Sequence, residues 1–353
     1  MFLKNAWYCA GWNHEFHQGA GAVIARKIAG ERLVLYRTRT GHVVAFQDRC
    51  PHRQAALSLG RKEGDSLRCM YHGLKFNSEG ICEEIPGQDN IPTDCRVRTY
   101  PVIEKNSWVW VWMGDPAQAD PGLICFSVGP ENPNWNMKIS KMHVETNYLW
   151  EIENLADLSH IAWVHNDTVG GDLAFSRIKP KHTTTARGTH TSFWVYSHRP
   201  LGAIRHLFPE DARIDSNWEI DQTVPCNWNM RVRFFTPGTE TEGPSNGELM
   251  ADTWTCQSVT PCDDDSVDYY YSWGADNASE ARMPGLSDLL GGTLDIAFNE
   301  DKVMLEAQHL RRKEMPDFKM TRILHDAGPS MILRVLNTLI KKENEIRPVL
   351  EPA

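Results

Sequence analysis

The sequence predicts an α+β fold, with a small β domain ahead of a larger domain of mixed helices and strands. The first third of the 353 residues holds short β-branched and aromatic runs between turn residues. The remainder mixes strand-like runs with apolar residues at helical spacing. A segment rich in Gly, Pro and Asp, residues 114–122, separates the two patterns. We therefore place the domains at 1–118 and 119–353.

The first domain is predicted to consist of hairpins and one buried strand. Residues 33–36 and 43–46 flank a polar turn that contains Gly41, and residues 74–76 and 81–82 flank a second turn. The run from Ser107 to Met113 is apolar on both faces, which is typical of a buried strand. Ligands carried by this domain would therefore lie on loops at strand ends.

Four metal-binding residue types occur in two close pairs in this domain. Cys50 and His52 form the first pair, Cys69 and His72 form the second, and sixteen residues separate them. Two Cys and two His suit a tetrahedral zinc or a [2Fe–2S] cluster in which two His replace two Cys on one iron. Zinc sites usually pair Cys with Cys and His with His, whereas each pair here is mixed. The spacing favours the cluster.

The second domain is predicted to mix several strands with three helices. The strands are expected at residues 191–196, 230–235 and 267–273, and the helices at 150–163, 294–312 and around 332–340. The tail from Arg347 to Ala353, with two prolines, is expected to be loose.

A second cluster of metal-binding residue types lies on the first of these helices. Asp157 and His160 are three residues apart and share a helical face, with Asn154 one turn earlier. His165 is five residues after His160, about 140° around an ideal helix, so the helix must end or distort between them if both bind one metal. Two His supply two ligands of a facial triad, whose third ligand is a carboxylate.

Asp301 is the best candidate for that carboxylate. On the helix at 294–312 it shares a mostly apolar stripe with Leu294 and Leu305, where a buried acid must be paired or ligated. Glu300 and Glu306 fall off the stripe and suit solvent. Taken alone, His160 and His165 are also compatible with two structural histidines.

Together these patterns resemble the Rieske non-haem iron oxygenases. The shared patterns are Cys-Pro-His-Arg followed by Cys-x-Tyr-His-Gly, Asn-x-x-Asp-x-x-His-x4-His, and a helical Glu-Asp. Finer features, such as Leu74 after Gly73, resemble the subgroup of vanillate and dicamba O-demethylases and toluenesulfonate methyl-monooxygenase. Gln54 departs from the family, which often has a small or apolar residue there.

The resemblance implies a Rieske [2Fe–2S] β domain followed by a helix-grip catalytic domain, in a homotrimer of oxygenase (alpha) subunits. Cys50 and Cys69 would hold one cluster iron and His52 and His72 the other. A mononuclear Fe(II) would be held by the metal ligands His160, His165 and Asp301. Asn154 would lie near that iron, and Asp157 would carry electrons from His72 of a neighbouring subunit.

The implied activity is that of a terminal oxygenase that uses O2 to hydroxylate or O-demethylate a small substituted aromatic compound. No G-x-G-x-x-G nucleotide fingerprint is apparent, so electrons would come from a separate NAD(P)H-dependent reductase, with or without a ferredoxin. The alternatives within the class are ring hydroxylation and N-dealkylation. From other classes, a Rieske electron carrier without oxygenase activity and a zinc-stapled binding protein are also considered.

Charge and hydropathy limit the partners and the location. The formal net charge of −9 argues against a nucleic-acid binder, which would need a basic surface. No stretch approaches the roughly 18 apolar residues of a membrane span. The N-terminus has no basic region followed by an apolar run, so we expect a cytoplasmic protein that binds neither nucleic acid nor membrane.

Overall fold

The computed structural model describes residues 1–17, 22–170 and 172–346. The predicted tail from Arg347 to Ala353 lies outside these residues. The chain divides into two compact units. The first is Met1–Ile124 with Thr260–Asp264, and the second is Cys125–Val259 with Asp265–Ala353. Among the described residues, no helix has both the length and the apolar character to cross a membrane.

The first unit is built from short strands, as its alternating apolar residues and turns predict. In chain order they are β1 (Trp7–Trp12), β2 (Val23–Ile28), β3 (Glu31–Arg37), β4 (Val43–Gln47), β5 (Arg61–Glu63), β6 (Ser66–Arg68), β7 (Lys75–Phe76), β8 (Cys82–Glu84), β9 (Thr99–Tyr100), β10 (Val102–Lys105) and β11 (Trp108–Trp112).

These strands form three sheets, ordered β1-β11-β10, β2-β3-β4-β9 and β5-β6-β7-β8. The predicted hairpins are confirmed, since β3 pairs antiparallel with β4 and β7 with β8. The predicted buried strand is β11, whose alternating Trp and Val residues are all buried, so both faces of the strand are covered.

Among the described residues, the second unit carries a large sheet and four α-helices. Its strands are β12 (Trp135–Val144), β13 (Lys181–Thr185), β14 (Gly188–His198), β15 (Ile214–Thr223), β16 (Asn227–Phe235), β17 (Leu249–Pro261, whose last two residues belong to the first unit) and β18 (Val267–Asp276). Its helices are α1 (Tyr148–Ala156), α2 (Asn277–Arg282), α3 (Leu286–Glu314) and α4 (Ala327–Ile346).

The seven strands are ordered β12-β18-β17-β16-β15-β14-β13, and neighbours along the chain pair antiparallel from β13 to β17. Helix α3 lies on one face of this sheet, where the ring of Phe298 is 5.0 Å from that of Tyr269 and 4.7 Å from that of Tyr271. The predicted α+β class, with a β domain followed by an antiparallel sheet and helices, is confirmed.

The helix expected at residues 150–163 is shorter than predicted. Helix α1 ends at Ala156, and a 3₁₀ helix occupies Leu158–Ala162. Asp157 separates the two, because its extended backbone ends α1 while its carboxylate accepts the backbone N–H of Ser159 at 2.9 Å. The α-helix therefore ends before His160, and the 3₁₀ helix that carries His160 ends at Ala162, so the helical geometry ends between His160 and His165 as expected.

Candidate metal centres and substrate cavity

The two cluster-motif loops of the first unit have the same backbone hydrogen bonds. In the first loop the N–H of Cys50 donates to Ala55 at 2.8 Å, and its carbonyl accepts from Gln54 at 2.9 Å. In the second loop the N–H of Cys69 donates to Leu74 at 2.8 Å, and its carbonyl accepts from Gly73 at 3.0 Å. Each cysteine is thus held at the same position of an equivalent tight turn.

Both turns need a residue with positive φ. Gln54 has a φ of 58° and Gly73 a φ of 79°. Glycine reaches this region without a steric penalty, while glutamine does so at some cost in strain. The unusual Gln54 therefore occupies the position that Gly73 fills in the other loop, and its backbone is part of the turn.

The thiols and imidazoles of the motif lie on opposite sides of the loops. Cys50 and Cys69 are each 1% exposed and belong to the core of the unit. His52 and His72 are exposed, with ring centroids 4.5 Å apart. Burial and the neighbouring Cys69 raise the pKa of the Cys50 thiol to about 11. Because two buried thiolates need a compensating cation, this donor set suits an iron–sulfur cluster with an outward pair of imidazoles.

In the second unit, three predicted ligands converge. One donor atom each from His160, His165 and Asp301 lies within 4.8 Å of the others. Oδ1 of Asp301 is 3.6 Å from Nε2 of His160 and 3.2 Å from Nε2 of His165. That oxygen is buried and accepts no well-aligned hydrogen bond within the described chain. Ligands about 2 Å from one metal at near right angles are separated by roughly 3 Å, so the set fits a metal.

Glu300, which the sequence pattern assigned to solvent, contacts this centre. Its Oε2 lies 2.8 Å from Nδ1 of His165 and accepts the hydroxyl of Thr168 at 2.7 Å. Burial works to lower the pKa of His165, but the carboxylates of Asp301 and Glu300 outweigh it and raise that pKa. The electrostatic field of Asp301 and Glu300 therefore favours a positive charge at His165. The Glu-Asp dipeptide in a helix facing the two His was the only sequence indication of this contact.

Asp157 and Asn154 lie beside the same centre, on its more polar side. Nδ1 of His160 is 2.5 Å from the backbone carbonyl of Asp157, so this contact does not use the carboxylate. Asn154 has a buried Nδ2 without a partner among the described residues. Asp157 and Asn154 line a groove that also contains His160 and Arg312. The sequence predicted the proximity, but not the backbone contact.

On the other side of His160 lies a narrow cavity of about 50 Å³ between α3 and strands β15 to β18. We call it the substrate cavity. The three converging residues form one end of it. Its remaining wall is mainly aromatic and aliphatic, and includes Trp218, Trp228, Met230, Trp273, Leu294 and Phe298. An apolar cavity beside a metal-binding group is the usual arrangement of a small-molecule site.

Sequence comparisons identify both units. Residues 6–101 match the Rieske [2Fe-2S] domain, and residues 144–342 match the vanillate O-demethylase oxygenase C-terminal domain. The iron-sulfur subunit of the toluene-4-sulfonate monooxygenase system of Comamonas testosteroni is 35% identical, over 98% of this chain and 99% of that protein. The oxygenase component of dicamba O-demethylase from Stenotrophomonas maltophilia is 38% identical, over 88% of this chain and 89% of that protein.

Structural comparison agrees. The crystal structure of dicamba monooxygenase bound to dicamba superposes with a TM-score of 0.85 at 27% identity, covering 98% of this chain and 99% of that one. Both matched domains, and relatives similar over nearly their whole length, point to one enzyme class. The chain belongs to the Rieske non-haem iron oxygenases, as an oxygenase subunit of the vanillate O-demethylase family.

Proposed function

We propose that the chain is the terminal oxygenase of a multicomponent monooxygenase that hydroxylates or O-demethylates a substituted aromatic compound. One atom of O2 enters a C–H bond of the substrate, and the other leaves as water with two electrons and two protons. A hydroxylated methoxy carbon then loses formaldehyde and leaves a phenol. The cluster belongs to the domain at 1–118 and the mononuclear iron to the domain at 119–353.

The observation that carries this proposal is the convergence of His160, His165 and Asp301 at the end of the substrate cavity. These residues would hold Fe(II), while Cys50, Cys69, His52 and His72 would hold the [2Fe–2S] cluster. When bound, the cluster supplies one-electron transfer and the iron supplies open positions for O2. The cavity brings an apolar substrate to the same point and excludes water from it.

The protein's part is to orient the ligands. The contact between Nδ1 of His165 and Glu300 leaves Nε2 of that ring free to face Asp301. The contact between Nδ1 of His160 and the backbone carbonyl of Asp157 likewise leaves Nε2 of His160 free. These contacts fix the tautomers, so both Nε2 atoms present lone pairs toward the iron position.

Electrons enter from the groove side in this proposal. The exposed His72 of one subunit would meet the groove that Asp157 and Asn154 line in its neighbour, within a homotrimer. Asp157 joins the two centres as a positioning residue. The electrons come from a separate NAD(P)H-dependent reductase, directly or through a ferredoxin.

Metal analysis combined with turnover tests the proposal. The purified protein should contain three irons per chain and a Rieske EPR signal. The variant H160A should keep the signal and contain two irons. With a reductase, NADH and methoxyarenes, O2 uptake should match formaldehyde release. Two irons per chain in the unaltered protein would indicate an electron carrier, and hydroxylated rings or dealkylated amines would move the reaction to the alternative within the class.

A further inference from the structure

The wall of the substrate cavity contains no cationic side chain. Apart from the three proposed iron ligands, its lining among the described residues is aliphatic, aromatic or neutral polar, and no Lys or Arg contributes to it. The Asp301 carboxylate and the proposed Fe(II) both lie at one end of the cavity, so the wall away from that end carries no charged side chain. Moving a carboxylate or sulfonate from water into such surroundings is costly unless a partner charge compensates.

Strand β16 directs its cations away from the cavity. Met230 lines the cavity, whereas Arg231 and Arg233 belong to the opposite face because side chains alternate along a strand. There Nε of Arg231 donates to Asp252 at 2.8 Å, and Arg233 pairs with Glu219 at 2.8 Å. Both guanidinium groups are therefore already matched with acids, and neither is available to a substrate in the cavity.

Apart from Oδ1 of Asp301, the unpaired polar groups in the wall are hydrogen-bond donors. The indole N–H groups of Trp228 and Trp273 are buried and find no acceptor within the described residues. Gln257 offers little to a ligand, since its Nε2 donates to Thr255 at 3.0 Å and its Oε1 accepts the hydroxyl of Tyr269. A buried donor without an acceptor costs free energy, which a ligand acceptor would recover.

We infer that the substrate is an uncharged, mainly apolar aromatic molecule with a hydrogen-bond acceptor, such as an ether, amide or sulfonamide oxygen, and not a carboxylate or sulfonate anion. This inference rests on the proposed function, because it identifies the substrate cavity by its position beside the iron ligands. The apolar wall would bind the ring, and the two indoles would bind the acceptor oxygen.

Matched pairs of ligands that differ in charge test the inference. Equilibrium dialysis at neutral pH with the iron-loaded protein would compare toluene-4-sulfonamide with toluene-4-sulfonate, and 4-methoxybenzamide with 4-methoxybenzoate. The neutral member of each pair should bind at least about tenfold more tightly. An anion that binds as tightly as its neutral partner, or failure of both neutral compounds to bind, would overturn the inference.

Variants test the donors and the missing cation. W228F and W273F should each weaken amide binding by roughly three- to tenfold, because each removes one N–H and keeps an aromatic ring. W254F is the matched control, since Trp254 lies on β17 beside Arg231 and outside the cavity wall. M230R should raise the affinity for the anions. If W228F and W273F both bind the amides as the unaltered protein does, the acceptor requirement is wrong.

Turnover separates this inference from the proposed function. Formaldehyde release from 4-methoxybenzoate that exceeds release from 4-methoxybenzamide would leave the oxygenase function intact and overturn the neutral-substrate inference. Tight binding of the amide with uncoupled O2 uptake and no oxygenated product from either pair would support the charge preference and count against the proposed reaction.

Discussion

Nδ1 of His165 lies 2.8 Å from Oε2 of Glu300, while Nε2 of the same ring lies 3.2 Å from Oδ1 of Asp301. One buried imidazole is thus held between two adjacent carboxylates of α3. Because Glu300 occupies Nδ1, only Nε2 remains for a metal, and Asp301, the third proposed ligand, follows Glu300 directly in sequence.

We predict that E300Q weakens iron binding without affecting the cluster. The amide can still contact His165, but it lacks the charge that supports a cation beside it, so iron affinity should fall roughly 10- to 100-fold. Iron titration of the metal-depleted protein measures this, with the Rieske EPR signal as an internal reference. E306Q, about one and a half turns beyond Asp301 on α3 and near Lys302, is the control. Equal loss of iron in both variants would count against the Glu300 contact.

Residue types and spacing predicted most of this centre, but not Glu300. His160, His165 and Asp301 could be selected because they are ligand types in a helical pattern, and a buried acid on an apolar stripe requires a partner. Glu300 lies off the stripe and is only partly buried, so periodicity assigned it to solvent. Its contact depends on where His165 is placed after the chain leaves α1, and this placement is a tertiary effect.

The wall of the substrate cavity could not be predicted for a similar reason. Trp218, Trp228 and Trp273 come from three strands, and only the pairing register brings them to one face. Two strands of the wall, β15 and β17, carry mixed polar and apolar residues that gave no clear strand pattern. The hairpins of the first unit were predictable because Gly and Asn mark their turns locally.

The second cluster loop should be more sensitive to a methyl group than an equivalent turn nearby. A Cβ at Gly73 would lie 2.7 Å from Cγ of Pro86, whereas a Cβ at Gly87 would meet nothing within 4 Å. Both glycines have positive φ, 79° and 78°. G87A should therefore cost about 1 kcal/mol from strain alone, and G73A should cost more and lower cluster content. The denaturation midpoint and the Rieske absorbance should be measured for both variants. Equal values for G73A and G87A would exclude a role for the Pro86 contact.

His198 should make the unfolding free energy depend on pH. Burial lowers the pKa of His198 to about 4, against 6.5 for an unperturbed histidine. Its Nδ1 lies 2.7 Å from the carbonyl of Arg199, and its Nε2 lies 2.7 Å from the hydroxyl of Ser216. A neutral ring satisfies both contacts by donating from Nδ1 and accepting at Nε2, whereas a protonated ring would be a donor at both positions.

The sign follows from proton binding. Between pH 6.5 and 4 the unfolded chain binds a proton at His198 that the folded protein does not, so stability falls as pH falls through this window, by about 3 kcal/mol in all. Asp172, Asp215 and Arg213 contribute to the field at this ring. Chemical denaturation at pH 7 and pH 5 measures the loss. H198Q should reduce the pH slope, while H190Q, at an exposed histidine paired with Asp221, should leave it unchanged.

Asp157 should control the rate of electron transfer along the proposed path. D157N should leave both metal centres loaded, because asparagine can still accept the N–H of Ser159 and its backbone carbonyl still faces His160. It removes the negative charge that would accept the imidazole N–H of His72 from the neighbouring subunit, while Nδ1 of His160 keeps its contact with the backbone carbonyl. Reduced protein mixed with O2 and substrate should therefore show cluster oxidation slowed by at least roughly tenfold.

A structural effect of D157N can be separated from an effect on electron transfer. D120N changes the same type of turn, in which an aspartate accepts the N–H two residues later, in the first unit at 2.8 Å. It should leave single-turnover rates and iron content unchanged. Iron loss in D157N would assign Asp157 to the iron site itself. Unchanged cluster oxidation with both metals present would remove Asp157 from the path and require another contact between His72 and His160.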